Sequence, residues 1–136
     1  MKRKYFLVVL FLILAIFLSG CGIITDESKV RNVIDEYFLA MNAQDWDKAK
    51  SYCIYGPDVY YETCDFEEYI DDLWPSTVEV IFIMDVFDIT ITGNYARAYI
   101  DGSLTIIRDG QSITNDDSGY LYLQKVNNNW KLCGWK

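Results

Sequence analysis

Apolar side chains at Val30, Val33, Ile34, Tyr37, Phe38 and Met41 recur at i, i+3, i+4, i+7, i+8 and i+11, the single stripe of an amphipathic helix. Thr25 or Asp26 stands where a cap is needed, and Asn42-Ala43-Gln44 interrupts the period. Asp45 is then placed to cap a short second helix whose inward face is Trp46, Ala49 and Cys53, so the pair reads as a helical hairpin. A third helical piece is predicted to open at Asp65 with Glu68 in capping-box spacing, to run through Phe66, Tyr69, Ile70, Leu73 and Trp74, and to stop at Pro75. From Thr77 onward the period changes from 3.6 to 2. Four strands are predicted, 78–92, 95–107, 112–126 and 130–135, joined by Gly93-Asn94, Asp109-Gly110 and Asn127-Asn128-Asn129. In the second of these, Ala96, Ala98, Ile100, Leu104 and Ile106 share one face, and Tyr95, Arg97, Tyr99, Asp101 and Thr105 the other. Helices followed by an antiparallel meander imply an α+β layer, with N-terminal helices packed on a curved four-stranded sheet.

Ahead of this pattern lies a segment of a different kind. Lys2, Arg3 and Lys4 precede an uninterrupted apolar run from Tyr5 to Leu18, and Leu18-Ser19-Gly20-Cys21 follows. The layout resembles a bacterial lipoprotein signal peptide closed by a lipobox. That resemblance implies removal of residues 1–20, a diacylglycerol on the Cys21 thiol, and a protein held on the extracytoplasmic side of the cell membrane. The competing reading is an uncleaved membrane anchor, because the apolar stretch counted on through Ile24 reaches spanning length. Residues 21–25 would be the lipidated cysteine with a short tether, reaching about 15 Å at roughly 3.5 Å per residue. Residues 26–136 are left as one domain, too few for two cores. The expected site of action is therefore close to the bilayer.

Charge narrows the partners. The chain has 12 basic and 20 acidic residues, and three of the basic ones lie in the signal-like segment while every acidic one lies beyond it. Such a surface repels polyphosphate and anionic head groups, which excludes nucleic acid as an expected partner. The expected partners are membrane lipid, through acylated Cys21, and a second copy of the chain or a membrane protein. An aromatic content of 16% demands a core or a binding surface to cover it, which excludes disorder. Cys53 and Cys64 flank the turn signal Gly56-Pro57-Asp58. That spacing suits either a disulfide closing a loop of about a dozen residues, in an oxidising compartment, or two small buried thiols. Cys133 alternates in the last strand as a packed or free thiol.

Three stretches resemble the nuclear transport factor 2-like superfamily, a cone-shaped α+β fold related to cystatin. Val33 to Met41 followed by Asp45-Trp46-Asp47-Lys48-Ala49 is similar to its opening helix and aspartate-led second helix. Leu121 to Val126, continued by Asn129-Trp130-Lys131-Leu132, is similar to its terminal hairpin, and Ala96 to Ile100 to its middle strand. The resemblance implies a funnel enclosed by the helices and the concave sheet face, serving as an active site in some members and a ligand pocket in others. It also implies dimerisation through the outer face.

An isomerase- or cyclase-like enzyme in such a funnel typically uses Asp, His, Tyr or Arg. This chain has no histidine, so catalysis would rest on a carboxylate. Asp85 and Asp88 are the candidates, each interrupting an apolar strand. A spacing of three puts them on opposite faces unless a bulge intervenes, and both have plainer roles, Asp85 as an edge charge and Asp88 as a partner of Arg97. For ligand stacking the candidates are Tyr37, Tyr60, Tyr61 and Trp74, with core packing the competing reading for Tyr37. For a protein contact the candidates are Tyr95, Arg97, Tyr99 and Tyr122, with Tyr120 as an alternative to Tyr122. No motif calls for a cofactor, and Asp116-Asp117-Ser118 reads as a solvated bend with too few ligands for a metal. The expectation is a non-enzymatic interaction or ligand-binding module.

Overall fold

The computed structural model describes residues 24–56 and 58–136. The signal-like segment 1–20 and the acylation candidate Cys21 lie outside the described residues. Among the described residues no helix is long and apolar enough to cross a membrane.

Three helices, α1 (Asp26–Asn42), α2 (Trp46–Ser51) and α3 (Val59–Asp71), precede four strands, β1 (Val78–Thr92), β2 (Tyr95–Arg108), β3 (Gln111–Val126) and β4 (Asn129–Trp135). The strands form one antiparallel sheet in the order β1-β2-β3-β4. The expected α+β architecture is what the chain adopts. Thr25 caps α1 by accepting from the Ser28 N–H, and Asp45 caps α2 by accepting from the Lys48 N–H, at 3.2 Å each.

Val30, Ile34 and Tyr37 on α1 meet Ala96, Ala98 and Ile100 of β2, Leu121 and Leu123 of β3, and Trp130 and Leu132 of β4. The alanines matter because small side chains on the middle strand let the helix sit close to the sheet.

The third helix departs from its predicted start. It begins at Val59, six residues before Asp65, with Asp58 at φ +68° turning the chain into it and making no side-chain cap. Its buried residues are Val59, Thr63 and Ile70. Threonine at the centre of that stripe is what hides the helical period in the sequence.

Both sheet edges are covered, by different devices. At the β4 edge the Leu132 carbonyl accepts from the Ile54 N–H at 2.8 Å, and the Leu132 N–H donates to the Tyr52 carbonyl at 2.9 Å. At the β1 edge side chains replace a fifth strand. The Asn42 amide donates to the Phe82 carbonyl at 3.0 Å and accepts from the Phe82 N–H at 2.5 Å. Gln44 donates to the Val78 carbonyl, and Arg31 to the Val86 carbonyl. Asn42 therefore acts as one residue of a missing neighbour strand. Asn42→Ala leaves a part-buried donor and acceptor unpaired and is expected to cost about 1–3 kcal/mol. Urea denaturation measures that loss, and gel filtration should show a new tendency to associate through the bared edge.

Candidate binding site

Between the helices and the concave sheet face lies a cavity of about 220 Å³. Tyr37, Phe38 and Met41 come from α1, Val59, Glu62 and Phe66 from α3, and the sheet supplies Phe82, Met84, Leu104, Asp117, Leu121 and Trp135. Aromatic rings dominate its wall. Phe82 lies 5.4 Å from Phe38 and 5.7 Å from Phe66, centroid to centroid, and Tyr37 meets Phe38 edge-on at 5.1 Å.

At Gly102, on the inner face of the sheet, β1 comes close to β2. Met84, Gly102 and Asp117 form one row across β1, β2 and β3. A Cβ on Gly102 would stand 2.0 Å from the Ile83 carbonyl oxygen and 2.7 Å from the Met84 sulfur. The two neighbours of the glycine in this row, Met84 and Asp117, both line the cavity.

Three polar groups touch the cavity, and they differ in availability. The Thr63 hydroxyl donates to the Val59 carbonyl at 2.6 Å, so its oxygen must receive the Tyr37 hydroxyl proton, 2.9 Å away. Burial holds the Tyr37 hydroxyl well above its ordinary pKa. Tyr37 is thus a neutral, fully committed wall. Thr63→Val is expected to cost about 1–3 kcal/mol by leaving that phenol unpaired. Tyr37→Phe should cost less, and the double variant should regain most of the loss relative to Thr63→Val alone. Urea midpoints of the three variants check this, and simple additivity would contradict it.

Glu62 and Asp117 are the exposed members of the lining. Partial burial raises the Glu62 carboxyl above its ordinary value, and the neighbouring charges of Asp58 and Asp65 push the same way. Asp117 accepts a hydrogen bond from the Ser118 N–H at 2.9 Å. No basic side chain is among the lining residues.

No protein-family model matches the sequence, and no curated protein matches it either. Solved structures do match the architecture. A proposed dehydratase of the NTF2-like family from Streptomyces avermitilis superposes with a TM-score of 0.65 at 11% identity, over 81% of this chain and 93% of that one. An NTF2-like protein with a cystatin-like fold from Novosphingobium aromaticivorans gives 0.62 at 10% identity, over 81% and 79%. A proposed aromatic ring hydroxylase from the same organism gives 0.61 at 12% identity, over 81% and 85%. The fold is NTF2-like. At these identities the likeness establishes architecture alone.

The NTF2-like funnel takes in some expected residues and leaves others out. Tyr37 lines it. Tyr60 and Tyr61 do not, since they lie on the first turn of α3 rather than in an extended segment. Tyr60 is half-buried, Tyr61 is exposed, and both pack edge-on with Tyr55 at 5.0 and 6.2 Å. Trp74 follows α3 and stands 82% exposed, away from the cavity. Asp85 and Asp88 are both exposed and absent from the lining. A bulge does intervene: the register shifts between Phe87 and Thr90, and Asp88 adopts φ +42°. Arg97 is accordingly opposite Thr90, and its guanidinium stacks 5.1 Å over the Tyr120 ring rather than meeting Asp88.

On the outer face Tyr99 packs edge-on against Tyr120 at 5.2 Å, while Tyr95 is exposed and Tyr122 sits opposite Arg97. Cys53, Cys64 and Cys133 are free thiols, so of the two readings of Cys53 and Cys64 the structure has the unbridged one. Burial pushes the Cys53 thiol up to about 12, which removes it as a nucleophile near neutral pH. Among the described residues no group of three or more acidic or cysteine side chains is placed to hold a metal.

Sequence reasoning missed Glu62 and Asp117. Glu62 lies ahead of the predicted start of the third helix, and Asp117 in a stretch of the third predicted strand read as a bend. The available signal was the alternation Asp117, Gly119, Leu121, Leu123 along β3, which carries the inward face of Leu121 and Leu123 back to Asp117.

Proposed function

We propose that this chain is a lipid-anchored extracytoplasmic protein whose NTF2-like domain binds a small organic ligand in its funnel, without transforming it. The observation that carries the reading is the apolar, aromatic-walled cavity kept open beneath α1 and α3. Its volume exceeds the roughly 150 Å³ of a dry cavity able to take benzene. The similar structures from Streptomyces and Novosphingobium include a proposed dehydratase and a proposed ring hydroxylase, which fits a fold whose funnel receives small organic molecules. Acylation of Cys21 rests on the lipobox spacing and would hold the domain within a short tether of the bilayer.

Titration of the full-length protein with a neutral aromatic probe such as naphthalene, followed by calorimetry, tests the pocket. The expected result is one saturable site that Leu104→Trp abolishes by filling it. Binding that ignores Leu104→Trp would contradict the pocket. Mass spectrometry of the exported protein should find residues 1–20 removed and a diacylglycerol thioether on Cys21; an unmodified amino terminus would contradict the anchor.

A second reading has its own observation. Ile83, Phe87 and Tyr95 are 63%, 47% and 60% exposed on the outer sheet face, beside the Tyr99–Tyr120 pair. Such a strip suits a protein contact, including one with a second copy of the chain. Sedimentation of the wild type and of Phe87→Lys would separate a dimer using this face from a monomer.

A further inference from the structure

From the aromatic wall and the two carboxylates of the funnel, we infer that its ligand is a small organic cation, an ammonium group carried on a compact apolar body. The inference rests on the reading of the funnel as a ligand pocket and adds the charge of its occupant. Three features of the site converge on it.

The first is the wall. Tyr37, Phe38, Phe66, Phe82 and Trp135 all present rings to one space. An aromatic face carries a negative quadrupole that attracts a cation, most strongly where water is excluded and most usefully for alkylated ammonium groups, whose charge is diffuse. A purely aliphatic pocket of the same volume would lack this preference.

The second is the polarity of the remaining lining. Its only charged side chains are Glu62 and Asp117, contributed by α3 and β3. No lysine or arginine of the lining neutralises either of them. An anionic ligand would meet two like charges, and a neutral one would gain nothing from either carboxylate.

The third is the electrostatic state of Glu62. Its carboxylate is disfavoured by burial and by Asp58 and Asp65 on the same helix and its approach. A bound cation relieves that repulsion, so ligand and site stabilise one another. The net acidity of the chain, with 20 acidic against 12 basic residues, draws cations toward the mouth in addition.

The test uses three soluble probes of nearly equal shape on the full-length protein in nanodiscs, with empty nanodiscs subtracted. They are choline, its neutral carbon isostere 3,3-dimethylbutanol, and the anion 3,3-dimethylbutanoate. Calorimetry should show choline binding at least about ten-fold more tightly than the alcohol, as a diffuse cation held by aromatic rings beside two carboxylates at a half-open site provides, and the carboxylate weakest. Glu62→Gln combined with Asp117→Asn should cut the ratio of choline affinity to alcohol affinity about ten-fold. Equal or tighter binding of the alcohol or the carboxylate would overturn the inference. So would silence from all three probes; if naphthalene still enters the pocket, only the charge assignment falls, and if naphthalene also fails, the pocket reading falls with it.

Discussion

Gly102→Ala is expected to destabilise the protein by about 3 kcal/mol or more, at the upper end of what overpacking a filled interior costs. The added methyl would sit 2.0 Å from the Ile83 carbonyl oxygen and 2.9 Å from the Met84 Cα, and these are backbone atoms of the neighbouring strand. A flexible side chain could swing away, but the β1 backbone is held on its other side by the Asn42 amide one residue along, at Phe82. Relief therefore requires parting β1 from β2 or breaking the Asn42 contacts. Urea denaturation reads the loss directly. The same variant should weaken probe binding, because Met84 and Asp117 flank the glycine in the row that floors the cavity. A stability change below about 1 kcal/mol would mean that the strands do not approach this closely.

Ile34→Ala is expected to cost about 2–5 kcal/mol. Ile34 is fully buried at the centre of α1 and belongs to the cluster that joins the helix to β2, β3 and β4. Its removal subtracts the transfer energy of three carbons and leaves a void that rigid strands on one side and the helix on the other cannot close. For a domain of this size the loss corresponds to a melting shift of roughly 10–30 °C. Ile34 is not part of the cavity lining, so folded Ile34→Ala protein should bind the aromatic probe with near-normal affinity. That separates it from Gly102→Ala, which should affect both properties. Thermal melts followed by circular dichroism, with a probe titration well below the new midpoint, check both halves.

Much of this architecture was legible because local period and global fold agree. The α1 stripe, the Asp45 cap and the strand alternation from Val78 onward each point to one answer, and the turns at Gly93-Asn94 and Asp109-Gly110 fall where the structure has them. The failures have identifiable causes. Thr63 occupies a core position of α3 because it hydrogen-bonds to Tyr37 and to its own helix, and a polar residue at that place disguises the period of Val59, Phe66 and Ile70. Misplacing that start turned Tyr60 and Tyr61 into loop residues and concealed Glu62.

The site was less legible than the fold. Asp85 and Asp88 stood out as charges in an apolar strand, yet one faces outward and the other occupies a bulge that spacing alone does not reveal. Asp117 fell inside the predicted strand 112–126 yet read as part of a solvated bend because polar residues surround it, and β3 runs on through it paired to β2. Trp74 read as a stacking residue, but α3 ends at Asp71 and leaves the indole in solvent. Which face a charge occupies depends on register over many residues, and one bulge reverses it.

Both edges of the sheet are closed by the chain's own groups. β4 is closed by the chain segment after α2, and β1 by side chains of α1 and the residues that follow it. The same helices roof the funnel, so edge protection and cavity formation are one construction. Lys125 fastens it near the other end, donating to Asp26 at 2.7 Å while lying 4.8 Å over the Trp130 ring. That contact holds the Asp26 carboxyl below its ordinary value, with the Lys125 hydrogen bond as the largest cause.

Everything functional here turns on the funnel being open rather than collapsed. Diffraction from a crystal of the protein under xenon pressure tests it most directly, since xenon enters dry apolar cavities of this size. The account predicts a xenon peak bounded by Phe38, Phe82, Leu104 and Trp135. Finding those side chains closed against one another, with no xenon among them, would contradict it.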